Sequence, residues 1–201
     1  MNNKIGKIGS IINIITVLAF AICMLIDFSF GSYFVCIFLA LSFVLMISTF
    51  ENECTLENKV AGKAAMIFSA IYATLIVIVY FTQCTTVQNE VLSDTVKQIL
   101  DYKRFGLLFN IDLLGYGMMA LSTFFIGLTI DVKNKKDKAL KYLLLIHGIF
   151  FISCLIMPMT GIFAKSDGSS SSIGGIIALE IWCAYFLPIG ILSYLHFKER
   201  K

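Results

Sequence analysis

Two carboxylates stand in stretches of sequence that are otherwise suited to hydrocarbon. Asp112 lies in the apolar run 107–130 and Glu180 in the run 173–195, each about two helical turns from one end of its run. A carboxylate in mid-membrane costs roughly 2.5–3.5 kcal/mol on insertion scales, and it usually faces a bundle interior or a water-filled cavity. Helices crossing with those ends outward hold both acids roughly 7–11 Å deep. Tyr80, Gln83, Asn110 and Thr160 fall in the same outer half, and Asp27 closes the first run. The candidate ligand or ion pocket is therefore Asp112, Glu180, Asn110, Tyr80, Gln83 and Thr160, opening outward. Its chemistry is the binding of a small molecule, a cation or a proton. The competing account is structural, since acids near a surface can snorkel and Tyr and Gln at helix ends belong to the interfacial belt.

Pro158, within Met157-Pro158-Met159-Thr160-Gly161, cannot donate a backbone hydrogen bond. It is expected to free the Cys154 carbonyl and kink the fifth helix near the acid layer, and Pro188 to kink the sixth nearer the other side. Broken helices at membrane depth are tolerated where they line protein or water, and in transporters they often form sites.

Signatures of catalysis are missing. GxSxG and HExxH do not occur, and the six cysteines form neither a CxxC nor a zinc spacing. Four of them lie inside predicted helices, where free Cys acts as a small packing residue. Gly115-Tyr116-Gly117 follows Leu113-Leu114 in a full-length span and so does not make a potassium filter. These glycines suit close helix packing instead. His147 could relay a proton, but no carboxylate lies within one turn of it, which favours packing or a single interhelical hydrogen bond. Trp182 and Tyr185 flank no base. No cofactor, no metal and no catalytic residue is expected, and an enzyme is the less favoured class.

The elements that must position these side chains follow from hydropathy. With 58% hydrophobic and 14% charged residues and a mean hydropathy of +0.87, the 201-residue chain is far more apolar than a soluble domain, in which about a quarter of residues are charged. Its apolar residues come in runs of roughly 20, the length that crosses about 30 Å of hydrocarbon. The runs are 9–28, 31–50, 64–84, 107–130, 142–164 and 173–195. The fold class is thus all-α: a single polytopic transmembrane bundle of about six spans over residues 1–201, since a barrel would show short alternating segments.

Lysine and arginine set the direction. With the N-terminus inside, the inner segments hold 12 of the 16 basic residues and the outer ones only Lys97, Lys103, Arg104 and Lys165, so both termini are expected in the cytoplasm. The net charge of +3 reports this topology, and nucleic acid is not an expected partner. Residues 1–21 also resemble a signal peptide, but the apolar run continues through Ile26 and reaches spanning length. Residues 131–141 read as a solvated inner anchor for lipid headgroups, and 165–172 (KSDGSSSS) as a flexible outer turn.

The outer segment 85–106 is long, and over about 89–105 it is amphipathic. Val91, Leu92, Val96, Ile99 and Leu100 share a face, and Ser93 is placed as an internal N-cap. It is expected to lie on the outer leaflet or to cover the bundle.

The helix count, the loop lengths and the Glu180-Ile181-Trp182 segment resemble small bacterial six-helix integral membrane proteins of unknown function. The resemblance implies a multi-pass protein of the bacterial cell membrane and carries no activity with it. The lysine excess over arginine, 14 to 2, fits an AT-rich bacterial genome. Expected partners are the lipid bilayer and a small ligand, cation or proton. A binding or transport protein ranks first among the function classes, a non-catalytic accessory or structural subunit second, and an intramembrane enzyme third.

Overall fold

A computed structural model describes residues 1–161 and 171–200; the Ser-rich turn at 165–172 lies largely outside them, as does Lys165. Among the described residues every regular element is helical. The α-helices are α1 (Asn2–Leu25), α2 (Ser29–Asn52), α3 (Lys59–Thr82), α4 (Asp94–Leu100), α5 (Leu107–Thr129), α6 (Lys135–His147), α7 (Phe150–Met159) and α8 (Ser171–Glu199). Six stretches are long and apolar enough to cross a membrane, α6 and α7 together forming the fifth. Several helices begin well before the apolar runs, at Asn2, Lys59 and Lys135. Hydropathy marks only the hydrocarbon-length part of a helix, whereas backbone bonding continues into the charged flanks.

The helices close a ring. α8 packs on α1, α1 on α2, α2 on α3, α3 on α5, α5 on α6 and α7, and α6 on α8. Phe43, Tyr72 and Phe186 meet at its centre, with ring centroids 5.3 Å apart for Phe43–Tyr72 and 6.2 Å for Phe43–Phe186. Small residues bring the helices close. A Cβ on Gly9 would lie 2.9 Å from Leu45 Cβ, and one on Gly115 would lie 3.0 Å from the Ile76 side chain, as the helix-packing reading of Gly115 expects.

The outer surface is apolar, and the interior holds polar residues among its apolar ones. Ser10, Asn13, Ser42, Ser69, Ser122, Thr123, His147 and Ser193 are buried, while Ile8, Ile11, Ile15, Leu18 and Ile22 form an exposed stripe along α1. Several interior hydroxyls bond to carbonyls, as Ser122 does across helices to Ala65 O at 2.8 Å, whereas those of Ser69 and Ser193 have no partner among the described residues.

Side-chain bonds tie both termini and two loops to one end. Asn3 donates to Arg200 O at 2.7 Å, Arg200 to Asp131 O at 2.8 Å, and Asn58 to Thr129 O at 3.4 Å. This is the basic end. At the distal end a three-residue turn joins α1 to α2: Phe28 N–H bonds to Cys23 O at 2.8 Å and Asp27 N–H to Met24 O at 3.2 Å, with Asp27 left-handed at φ 54°. That is a Schellman closure built on aspartate, so Asp27 serves as a cap.

The fifth span breaks about ten residues before Pro158. At Gly148–Ile149 the N–H groups reach back three residues, to Leu145 O and Ile146 O, and Phe151 and Ile152 do the same. Such 3₁₀ turns inside a helix mark a hinge or local strain. A Cβ on Gly148 would fall 2.8 Å from Phe124 Cβ, so the close approach to α5 requires glycine here. Pro158 instead occupies the last turn of α7, which ends at Thr160 and a left-handed Gly161. Its missing N–H therefore helps stop a helix. Pro188 lies within α8, which runs on past it to Glu199.

Candidate functional site

The distal half of the bundle holds a buried carboxyl. Asp112 sits on the inward stripe of α5 that continues through Tyr116, Met119 and Thr123, a spacing of 4, 3 and 4 residues that keeps one helical face toward the interior. It is 2% exposed. Its Oδ2 accepts a hydrogen bond from the Tyr102 hydroxyl at 3.2 Å, and its Oδ1 is buried with no hydrogen-bond partner.

Tyrosines wall this chamber. The rings of Tyr33 on α2, Tyr80 on α3 and Tyr102 form a triangle with centroids 5.7, 5.8 and 6.1 Å apart, and Phe109 meets Tyr102 edge-on at 5.1 Å. One turn deeper, Tyr116 packs against Tyr72 at 5.8 Å, and its hydroxyl lies 3.9 Å from Cys36 Sγ. The Tyr72 hydroxyl is buried and has no hydrogen-bond partner.

Tyr102 belongs to a strap, residues 94–106, that crosses the chamber. Ser93 caps α4 by accepting from Val96 N–H, as its sequence position implies. The chain then makes a 3₁₀ turn over Tyr102–Arg104, which Asp101 caps through Lys103 N–H at 3.0 Å. Phe105 is left-handed at φ 52°. A Cβ on Gly106 would fall 1.9 Å from Gln98 O, so only glycine lets the strap rejoin α5.

Gln83 fastens the strap. Its amide donates to Leu100 O at 2.7 Å and its carbonyl oxygen accepts Tyr102 N–H at 3.0 Å. A π-helical turn, Gln83–Val87, begins at this residue and points it inward; turns of that kind recur at functional sites. Burial, with the Asp112 charge next in weight, holds the Tyr102 hydroxyl well above its ordinary pKa, so it remains a proton donor to the carboxyl.

Of the residues singled out in the sequence, the structure brings Asp112, Tyr80 and Gln83 together. Asn110 is exposed on the opposite face of α5. Thr160 is exposed and bonds only to its own helix, at Met157 O, 2.8 Å. Glu180 is partly buried with Oε1 unpartnered, and no hydrogen bond or ion pair joins it to Asp112. The two helices meet in the Tyr116–Trp182 ring contact at 5.5 Å. Nor does the Asp112 carboxyl stand in an outward-opening pocket, because Tyr102 and the Gln83-anchored strap cover it. The residues missed, Tyr33, Tyr72, Tyr102, Tyr116 and Cys36, are common membrane-helix and loop types that nothing in one dimension singles out.

A second polar cluster lies at the basic end. His196 on α8 is flanked by Asp137 on α6 (Nδ1···Oδ1 2.7 Å) and by Glu53 from the α2–α3 loop (Nε2···Oε2 2.9 Å). Asp137 also accepts Lys133 N–H at 3.1 Å, and Arg200 stands 3.9 Å away. Carboxylate oxygens only accept, so both ring nitrogens carry protons and the imidazolium ties three elements together. A cavity of about 110 Å³ adjoins it, lined by Glu53, Asn58, Thr129, Asp131, His196 and Arg200 among others. The segment 131–141, read as a solvated anchor, is thus partly structural: Asn134 caps α6 through Lys136 and Asp137 N–H, and Asp137 and Leu140 are buried.

Among the described residues no group of three His, Cys, Asp or Glu side chains is arranged to hold a metal ion, and all six cysteines are free. No family model, curated protein or solved structure matches the chain.

Proposed function

We propose that the chain is a multi-pass protein of the bacterial cell membrane, with both termini in the cytoplasm, that binds and moves a small cation or polar molecule through the chamber at Asp112. The apolar outer surface and the 12 basic residues at or near one end support the placement. One observation carries the binding role. A carboxyl 2% exposed, with one oxygen bonded to a tyrosine of the connecting loop and the other without a partner, is costly to keep unless something is to occupy it.

The test is thermal unfolding of the detergent-purified protein in sodium, potassium, lithium and ammonium chloride at constant ionic strength. A cation present at about 100 times its Kd should stabilise the wild type by about 2.7 kcal/mol, or roughly 5–10 °C. Asp112→Asn should express normally and lose the shift. If no cation shifts the wild type, or if Asp112→Asn shifts equally, the reading fails.

An accessory subunit is the second reading. It draws on α7, which has no fully buried residue and carries an apolar groove of about 410 Å³ lined by Ile149, Phe150, Ile152, Ser153, Ile156 and Met157. This role predicts no cation-dependent shift.

A further inference from the structure

The Tyr102 side chain makes the contacts that a ligand of the Asp112 chamber would make. Its ring is surrounded by those of Tyr33, Tyr80 and Phe109, and its hydroxyl supplies the one hydrogen bond that reaches the carboxyl from the strap. A phenol has a single O–H, so it serves Oδ2 and leaves Oδ1 without a partner, though that oxygen is buried. An ammonium group has three N–H donors and a charge. In the same place it would bond both oxygens through charge-assisted hydrogen bonds and face the surrounding aromatic rings, which attract cations.

The strap packs on the bundle through half-buried Leu100 and Tyr102. None of the residues of α4 is buried. Among the described residues, Gln83 ties the strap's backbone to the bundle wall by two hydrogen bonds, at Leu100 O and Tyr102 N–H. Its return to α5 is the left-handed Phe105 followed by Gly106, a joint between two rigid helices. Withdrawing Tyr102 would empty a space the size of a phenol ring, with the Asp112 carboxyl and the buried Tyr72 hydroxyl beside it.

Building on the binding role assigned above, we propose that Tyr102 is a resident plug that competes with the ligand, and that the ligand is a small primary amine bearing a ring-sized apolar group. The strap thereby regulates the chamber. A site whose competent form is populated one part in ten or less loses at least about ten-fold in apparent affinity, so removing the plug recovers that factor.

The experiment titrates 2-phenylethylammonium chloride into the detergent-purified full chain, with benzyl alcohol as the neutral comparison. Fluorescence of the single tryptophan, Trp182, against Tyr116, and thermal shift are the readouts. Tyr102→Ala should bind the amine at least ten-fold more tightly than the wild type, and Gln83→Ala, which loosens the strap but keeps the ring, should fall between them. Adding Asp112→Asn to either should abolish amine binding, and benzyl alcohol should bind neither.

Equal or weaker binding in a folded, monodisperse Tyr102→Ala protein overturns the proposal, as does binding that survives Asp112→Asn. If Tyr102→Ala does not fold, Gln83→Ala decides on the same criteria. An Asp112-dependent shift with an inorganic cation, together with no amine binding in either unplugged variant, rejects the plug and its amine while leaving the binding role of Asp112 intact.

Discussion

Trp182 can only donate, and that decides which proton His147 holds. Its Nε1–H bonds to His147 Nε2 at 3.1 Å, so Nε2 is bare and the proton sits on Nδ1, which faces Thr123 Oγ1 at 2.8 Å; the threonine hydroxyl passes its own hydrogen to Ala120 O at 2.8 Å. Every group in the chain is satisfied, with α6 pinned to α5 and α8 just before the break. Trp182→Phe keeps the ring and removes the donor, leaving a buried acceptor unpaired. It should cost about 1–3 kcal/mol in equilibrium unfolding, and ¹⁵N spectra of labelled histidine should show the Nδ1 proton lost from its single position. Unchanged stability and an unchanged tautomer would mean that the bond is idle. The sequence shows His147 as a residue for packing or one interhelical bond, because its two partners lie 24 and 35 positions away on other helices. Asp112 is legible for the opposite reason: its type is expensive in apolar surroundings wherever its partners lie. Tyr102 is not, since a tyrosine in a polar loop costs nothing until the loop is seen to turn it inward.

Elements follow the same rule of cost. Apolar runs of spanning length admit only helices, so six of them could be found by hydropathy, and the Ser93 cap could be placed from its own residue type. The break in the fifth span could not. Proline is the stronger local signal, yet Pro158 lies where the helix is already ending, whereas Gly148 breaks the helix at the point of contact with Phe124, a property of two helices together. Downstream of the break α7 leans on α5, with Gly117 opposite Cys154; a Cβ built on Gly117 lies 3.4 Å from Cys154 Cβ. That is close to the Cβ separation of about 3.5–4.5 Å found in disulfides. Gly117→Cys should therefore cross-link to native Cys154 under a mild oxidant, seen by mass spectrometry of the linked peptides, and Cys154→Ser should abolish the link. Failure to cross-link would place α7 elsewhere than against α5.

For the whole molecule the question is what closes a ring of helices whose outer surface is apolar. Packing against lipid favours no particular closure, because lipid tails are as apolar as the side chains they meet. The specific contacts are polar and interior. At the basic end His196 joins α8 to α6 through Asp137 and to the α2–α3 loop through Glu53, with the Phe50 ring tilted against it at 5.3 Å and Phe197 edge-on at 5.6 Å. Nearby, Lys136 and Glu199 make a shorter contact, 2.6 Å, but both side chains are about half exposed. Distance alone would rank the lysine pair first, whereas burial reverses the order: water screens an exposed pair to about 0–1 kcal/mol, while removing one partner of a buried pair strands the other charge at a cost of about 3–5 kcal/mol. His196→Ala should thus lower unfolding stability by about 3 kcal/mol and loosen α8, and Lys136→Ala should change it by less than about 1 kcal/mol. Equilibrium unfolding of the two variants side by side is the measurement. Equal effects would mean that His196 is solvated, and that the ring is held closed by its helix seams alone.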